Sequence, residues 1–138
     1  MPQKPVPGSI AWADITVPTA RKLRDFYRRV VGWKAKEVPM GGYSDYGMVP
    51  PGERMMVAGV CHARGVNADL PPVWLLYVVV RDLDRAAKAA TRLGGKVTTR
   101  PRAMGSGKIC VIRDPAGAHL ALYQLSSVRP RRRRAKGS

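Results

Sequence analysis

DITVPTARKLRDFYRRVVGW, residues 14 to 33, is the stretch on which the fold of this chain turns. It begins inside a strand, Ile10 to Val17, whose alternation sends Ala11, Ala13, Ile15 and Val17 one way and Trp12, Asp14 and Thr16 the other. Pro18 and Thr19 then suit a helix start. From Ala20 to Val31 the apolar positions Leu23, Phe26, Tyr27 and Val30 recur at helical spacing, with Arg21, Lys22, Arg24, Arg28 and Arg29 on the remaining surface. Gly32 ends the helix. A shift of 63 residues repeats the phrase: Val17 falls on Val80, Ala20 on Leu83, Leu23 on Ala86, Tyr27 on Ala90, Val30 on Leu93 and Gly32 on Gly95. A repeat this long is one supersecondary unit used twice.

The same pattern extends outward from both copies. Strands are predicted at Trp33 to Val38, Tyr43 to Val49 and Met55 to Cys61, separated by Gly41-Gly42 and by Pro50-Pro51-Gly52. The second copy opens with a strand from Trp74 to Val80 and a helix from about Asp82 to Leu93. Leu83, Ala86, Ala87 and Ala90 form its buried face; Arg81, Arg85, Lys88 and Arg92 form a basic stripe. Gly94-Gly95 stops it, and strands follow at Lys96 to Thr99, Ile109 to Ile112 and His119 to Gln124. Asp114-Pro115-Ala116-Gly117 is the turn before the last of these. Each copy is βαβββ. The expected architecture is α+β: two tandem modules forming an eight-stranded, curved, partly closed sheet around a cavity, with the helices outside. Residues 1–8 read as a flexible lead, 9–125 as the folded domain, and 126–138 as a disordered basic tail. Within the domain, 9–61 is module one, 62–72 the connector and 73–125 module two.

Composition bounds the function. The chain has 138 residues and 45% hydrophobic content, enough for one domain with its own core. No apolar run is long enough to cross a bilayer, and the proline-rich start lacks a signal-peptide core. The two cysteines, Cys61 and Cys110, are far apart and outside any CxxC pattern, so free thiols and a cytoplasmic location are expected. The formal net charge is +16, and Arg129, Arg131, Arg132, Arg133, Arg134 and Lys136 contribute only six of those positives. The body is therefore basic as well, a field that attracts polyanions.

The phrase at 14–33, its echo YVVVRDLDRAAKAATRLGGKV at 77–97 and the closing RDPAGAHLALYQ at 113–124 together resemble the vicinal oxygen chelate superfamily. That group includes glyoxalase I, bleomycin-resistance proteins and extradiol dioxygenases. The resemblance covers about residues 9 to 125, and MGGYSDYGMV at 40–49 resembles a glyoxalase-like branch within it. It implies a homodimer. In metal-using members, His, Gln or Glu side chains from the first, fourth, fifth and eighth strands hold a divalent ion. The matching positions here are Trp12, a site within Met55 to Ala58, Leu75 and Ala121. None of these residues donates to a hard or borderline cation, so no metal site and no cofactor are expected.

Other residues then become the candidates. Asp14 is expected to face the cavity beside Trp12, and His119 to share a face with Ala121 and Tyr123. These two are the candidate acid–base groups. Trp12, Tyr43, Tyr46, Leu75, Tyr77 and Tyr123 are the candidate ligand-binding residues, since aromatic faces hold planar ligands by stacking and buried area. Trp33 and Trp74 belong to the core or to the same aromatic lining. Cys61 and His62 are adjacent on a strand and point to opposite faces, which argues against a nucleophile–base pair. Arg64 and Asn67 lie in a connector that either closes over an anion or is simply capped. A soft-metal site from Cys61, Cys110, His62 and His119 lacks any short-spacing signature.

The leading expectation is a small-molecule binding protein, or an enzyme, that works without a metal. The alternatives are a metal-dependent lyase or dioxygenase, and a non-specific nucleic-acid-binding accessory protein acting through its basic surface and tail.

Overall fold

A computed structural model describes residues 5–126 and has the expected α+β architecture. Its elements are β1 (Ile10–Val17), α1 (Ala20–Val30), β2 (Lys34–Pro39), β3 (Ser44–Val49), β4 (Ala58–His62), β5 (Leu75–Val79), α2 (Leu83–Arg92), β6 (Lys96–Met104), β7 (Gly107–Arg113) and β8 (His119–Gln124). The eight strands fall into two sets of four, each a mixed sheet. The chain divides into two compact units, residues 12–75 and residues 5–11 with 76–126. The tail arginines and Lys136 lie outside the described residues. No helix among the described residues is long and apolar enough to cross a membrane.

The two units share a topology. In the first the strand order is β2-β3-β4-β1, with β1 parallel to β4 and the other pairs antiparallel. In the second it is β6-β7-β8-β5, again with one parallel pair, β5 and β8. A parallel pair needs a crossover between its strands, and the helix-plus-hairpin stretch supplies it in each case.

Each core follows from the period of its elements. In the first unit Ile15 and Val17 of β1 meet Ala20, Tyr46, Met48 and Val60, with Leu23 and Tyr27 of α1 packed on top. Trp33 and Trp74 join Tyr27 in an aromatic cluster, with ring centroids 5.3 to 6.0 Å apart, and Trp74 Nε1 donates to Tyr27 Oη at 3.0 Å. In the second unit Leu83 and Ala87 of α2 bury against Cys110, Ile112 and Leu122. Removing side chains of this size from water stabilises a fold by about 1.5–3 kcal/mol each.

The helix ends differ. Asp82 caps α2, its side chain accepting from the Arg85 backbone N–H at 3.1 Å, and Gln124 Oε1 accepts from the Leu83 N–H at 2.8 Å. Thr19 precedes α1 without any side-chain cap bond. Gly32 and Gly94, at φ of 82° and 96°, let the chain leave each helix through the left-handed region.

Several boundaries depart from the sequence reading. β4 starts at Ala58 rather than Met55, and His62 is its last residue. β6 runs on to Met104, past Pro101, with register shifts between Val97 and Thr99 and between Thr99 and Arg102. It is the edge strand of its unit, where a proline missing its N–H is tolerated. Ahead of β1, the Gly8 N–H donates to the Val79 carbonyl at 2.7 Å and Ser9 accepts from Val79 at 2.9 Å. The lead is therefore tied to β5 at its last residue.

Candidate functional site

In the first unit, the register of β1 against β4 sets Asp14 opposite Gly59 and Thr16 opposite Cys61. Alternation gives Ile15, Val17 and Val60 to the core under α1. Trp12, Asp14, Gly59 and Cys61 are left on the other face. A Cβ on Gly59 would lie 3.1 Å from Asp14 Cβ, 3.3 Å from Trp12 Cζ2 and 3.4 Å from Cys61 Sγ. An indole, a carboxylate and a thiol thus close over one glycine. Met56 likewise lies over Gly47 of β3, in the space a side chain there would take. Burial, and after it the negative charges of Asp14 and Asp45, push the Cys61 thiol's pKa upward, so the sulfur stays protonated.

A second cluster sits where β4 ends. Asp45 is buried, and its Oδ1 accepts the His62 backbone N–H at 2.8 Å and lies 3.1 Å from His62 Nδ1. With the proton on Nδ1 the ring donates to the carboxylate and leaves Nε2 as the basic nitrogen. The ring is flanked by Tyr43 at 5.6 Å and Tyr46 at 5.7 Å between centroids. Arg64 stacks on Tyr43 at 4.0 Å and Arg24 on Tyr46 at 4.6 Å.

In the second unit, the pairing of β5 with β8 sets Tyr77 opposite Ala121 and Val79 opposite Tyr123. The tyrosine rings meet edge to face at 6.3 Å. His119 begins β8 opposite Arg113, and its Nδ1 is buried without a hydrogen-bond partner among the described residues. Such a nitrogen costs stability until something bonds to it.

The structure sorts the sequence candidates. Trp12 and Asp14 lie together over Gly59, and Tyr77 and Tyr123 meet ring to ring. Tyr43 packs against His62. Leu75 is buried. Tyr46 is 4% exposed and belongs to the core cluster under α1, away from the face that carries Trp12 and Asp14. Cys61 and His62 point apart, as strand neighbours should, and the partner of His62 is Asp45. That pair escaped the sequence reading because its members lie 17 residues apart and meet only through strand pairing. The available signal was Asp45 itself, a carboxylate between Tyr43 and Gly47 in a strand otherwise built for burial.

The residues present do not fit the divalent ion that the family resemblance implies. Indole, isobutyl and methyl groups occupy Trp12, Leu75 and Ala121, and Met55 to Ala58 carry no His, Asp or Glu. Among the described residues, no group of three or more His, Cys, Asp or Glu is placed to hold an ion.

Comparison with known proteins supports the architecture independently. Among curated proteins, the chain is 32% identical over 130 residues to the anthracycline biosynthesis protein DnrV of Streptomyces peucetius, covering 86% of this chain and 47% of that one. The chain thus spans about half the length of the curated relatives it matches. The methylmalonyl-CoA epimerase of Mycobacterium tuberculosis superimposes with a TM-score of 0.53 at 16% identity, over 91% of this chain and 93% of the other. The Streptomyces coelicolor methylmalonyl-CoA epimerase gives 0.55 at 15% identity, over 91% and 100%. At these identities the likeness is one of fold. Residues 9–122 match the family model, and the chain belongs to the Glyoxalase/Bleomycin resistance protein/Dioxygenase superfamily.

Proposed function

We propose that this domain binds a planar aromatic small molecule without the help of a metal. In the first unit the proposed contacts are Asp14 as acid or base, with Trp12, Tyr43 and Leu75. In the second they are His119 as acid or base, with Tyr77 and Tyr123. The observation that carries the reading is the meeting of Trp12, Asp14 and Cys61 over Gly59. It offers an aromatic plane beside a carboxylate and lacks a set of cation donors. The unsatisfied Nδ1 of His119 and the likeness to an anthracycline biosynthesis protein support it further. A homodimer accompanies this reading on family resemblance alone.

The test is a melting-temperature screen of the full chain against anthraquinone-2-carboxylate and smaller aromatic acids, with and without EDTA. A ligand at about 100 times its Kd stabilises the folded state by about 2.7 kcal/mol, a rise of several degrees. The rise is expected to survive EDTA and to shrink in Trp12→Ala and Asp14→Asn. A rise that EDTA abolishes and Mn²⁺ or Zn²⁺ restores overturns the metal-independent reading. No rise with any planar acid overturns the ligand class.

A further inference from the structure

A cleft of about 620 Å³ lies along α1, lined by Arg24, Asp25, Arg28, Arg29 and Trp33. It is separate from the face that carries Trp12 and Asp14. Its charges are ordered by one carboxylate. Asp25 Oδ1 receives Arg24 through both Nε and a terminal nitrogen at 3.0 Å, and Arg28 approaches it at 3.6 Å. The Arg24 guanidinium is also stacked on the Tyr46 ring, so its plane is fixed from behind as well as from the side. Arg29 is exposed, and no ion pair among the described residues engages it. Three guanidinium groups against one carboxylate leave the lining with a net charge of +2. The remaining wall is the half-buried indole of Trp33, whose plane is held by Tyr27 at 5.8 Å and Trp74 at 6.0 Å.

Each part selects something different. Guanidinium forks match oxyanions in paired hydrogen bonds, and a lining charge of +2 matches a dianion better than a single carboxylate. A fixed indole beside them offers an aromatic surface for a planar base. The volume lies within the range of small-molecule sites. We propose that this cleft binds a free nucleotide, with the phosphates on Arg24, Arg28 and Arg29 and the base against Trp33. A polymer is disfavoured because the lining comes from one helix and the turn after it alone. The site is independent of the aromatic-ligand reading above and stands or falls separately.

Calorimetric titration of the full chain in about 0.1 M salt tests it with four probes: ADP, adenosine, inorganic phosphate and oligo(dT) of about 10 nucleotides. ADP is expected to bind at least tenfold more tightly than adenosine or phosphate alone. Arg29→Ala, a change at an exposed residue with no ion pair, is expected to weaken ADP about tenfold with an unchanged melting temperature, and Arg29→Lys to recover part of it. Quenching of tryptophan fluorescence by ADP is expected to fall in Trp33→Phe. The proposal is overturned if ADP gives no binding at about 1 mM. It is overturned equally if Arg29→Ala leaves ADP affinity intact, or if only the oligonucleotide binds.

Discussion

The two units share one strand order and differ in what they place on equivalent pairs. Where the first pairs Asp14 with Gly59 between its parallel strands, the second pairs Tyr77 with Ala121. The first encloses two carboxylates and a thiol, while α1 begins without a side-chain cap. The second fills its interior with Tyr77, Ile109, Val111 and Ala121 and ties down the start of α2 with Asp82 and Gln124. Each copy thus holds polar groups that cost stability, two buried carboxylates in the first and the His119 ring nitrogen in the second. The first copy is the more chemically equipped, and the second has the better-capped helix.

The sharpest way to break that contrast is to make the second unit resemble the first at the start of its helix. Leu83 and Ala20 are repeat equivalents, and both are fully buried. Leu83→Ala is expected to cost about 3 kcal/mol, read from urea unfolding. A cost under about 1 kcal/mol would show that α2 is no anchor.

The thiols give the next effect. Burial, and then the Asp84 charge, push the Cys110 pKa from 9.0 up to about 11. A thiol whose pKa is raised on folding contributes fully below its unfolded value. It loses that contribution as pH climbs through the folded one. A tenfold change in a proton-binding constant is worth about 1.4 kcal/mol, so stability is expected to fall by at most about 3 kcal/mol between about pH 9 and 11. Cys110→Ala is expected to flatten part of that decline. An identical decline in the variant assigns it to other groups.

The smallest effect concerns the caps. Asp82→Ala is expected to cost about 1 kcal/mol, because it frees the Arg85 N–H that the side chain satisfies. Thr19→Ala, which removes no such bond, is expected to cost only a few tenths of a kcal/mol. Equal losses would erase the distinction between the two helices.

How far the residues alone foretold this is clearest at particular strands. β1 and β8 fall at the bounds read from alternation, because apolar and polar residues switch cleanly there and turn residues flank them. β6 runs past its expected end at Thr99 because Pro101, which lacks an N–H, sits on an edge strand. β4 was started too early, since Met55 to Val57 are as apolar as a strand; Met56 instead covers Gly47. The neighbours Trp12 and Asp14 were legible because strand periodicity fixes them locally. Asp45 and His62 were not, because their meeting depends on the register of β3 with β4, which no local pattern encodes.

The second unit is assembled from both ends of the described chain, with 12–75 running uninterrupted between its parts. During synthesis on a ribosome, the middle stretch emerges whole and has every strand it needs. The segment around Gly8 waits for Val79 to appear before its hydrogen bonds can form. The order of translation therefore favours the chemically equipped half folding first, while its counterpart is completed only when Gln124 arrives to satisfy the first turn of α2.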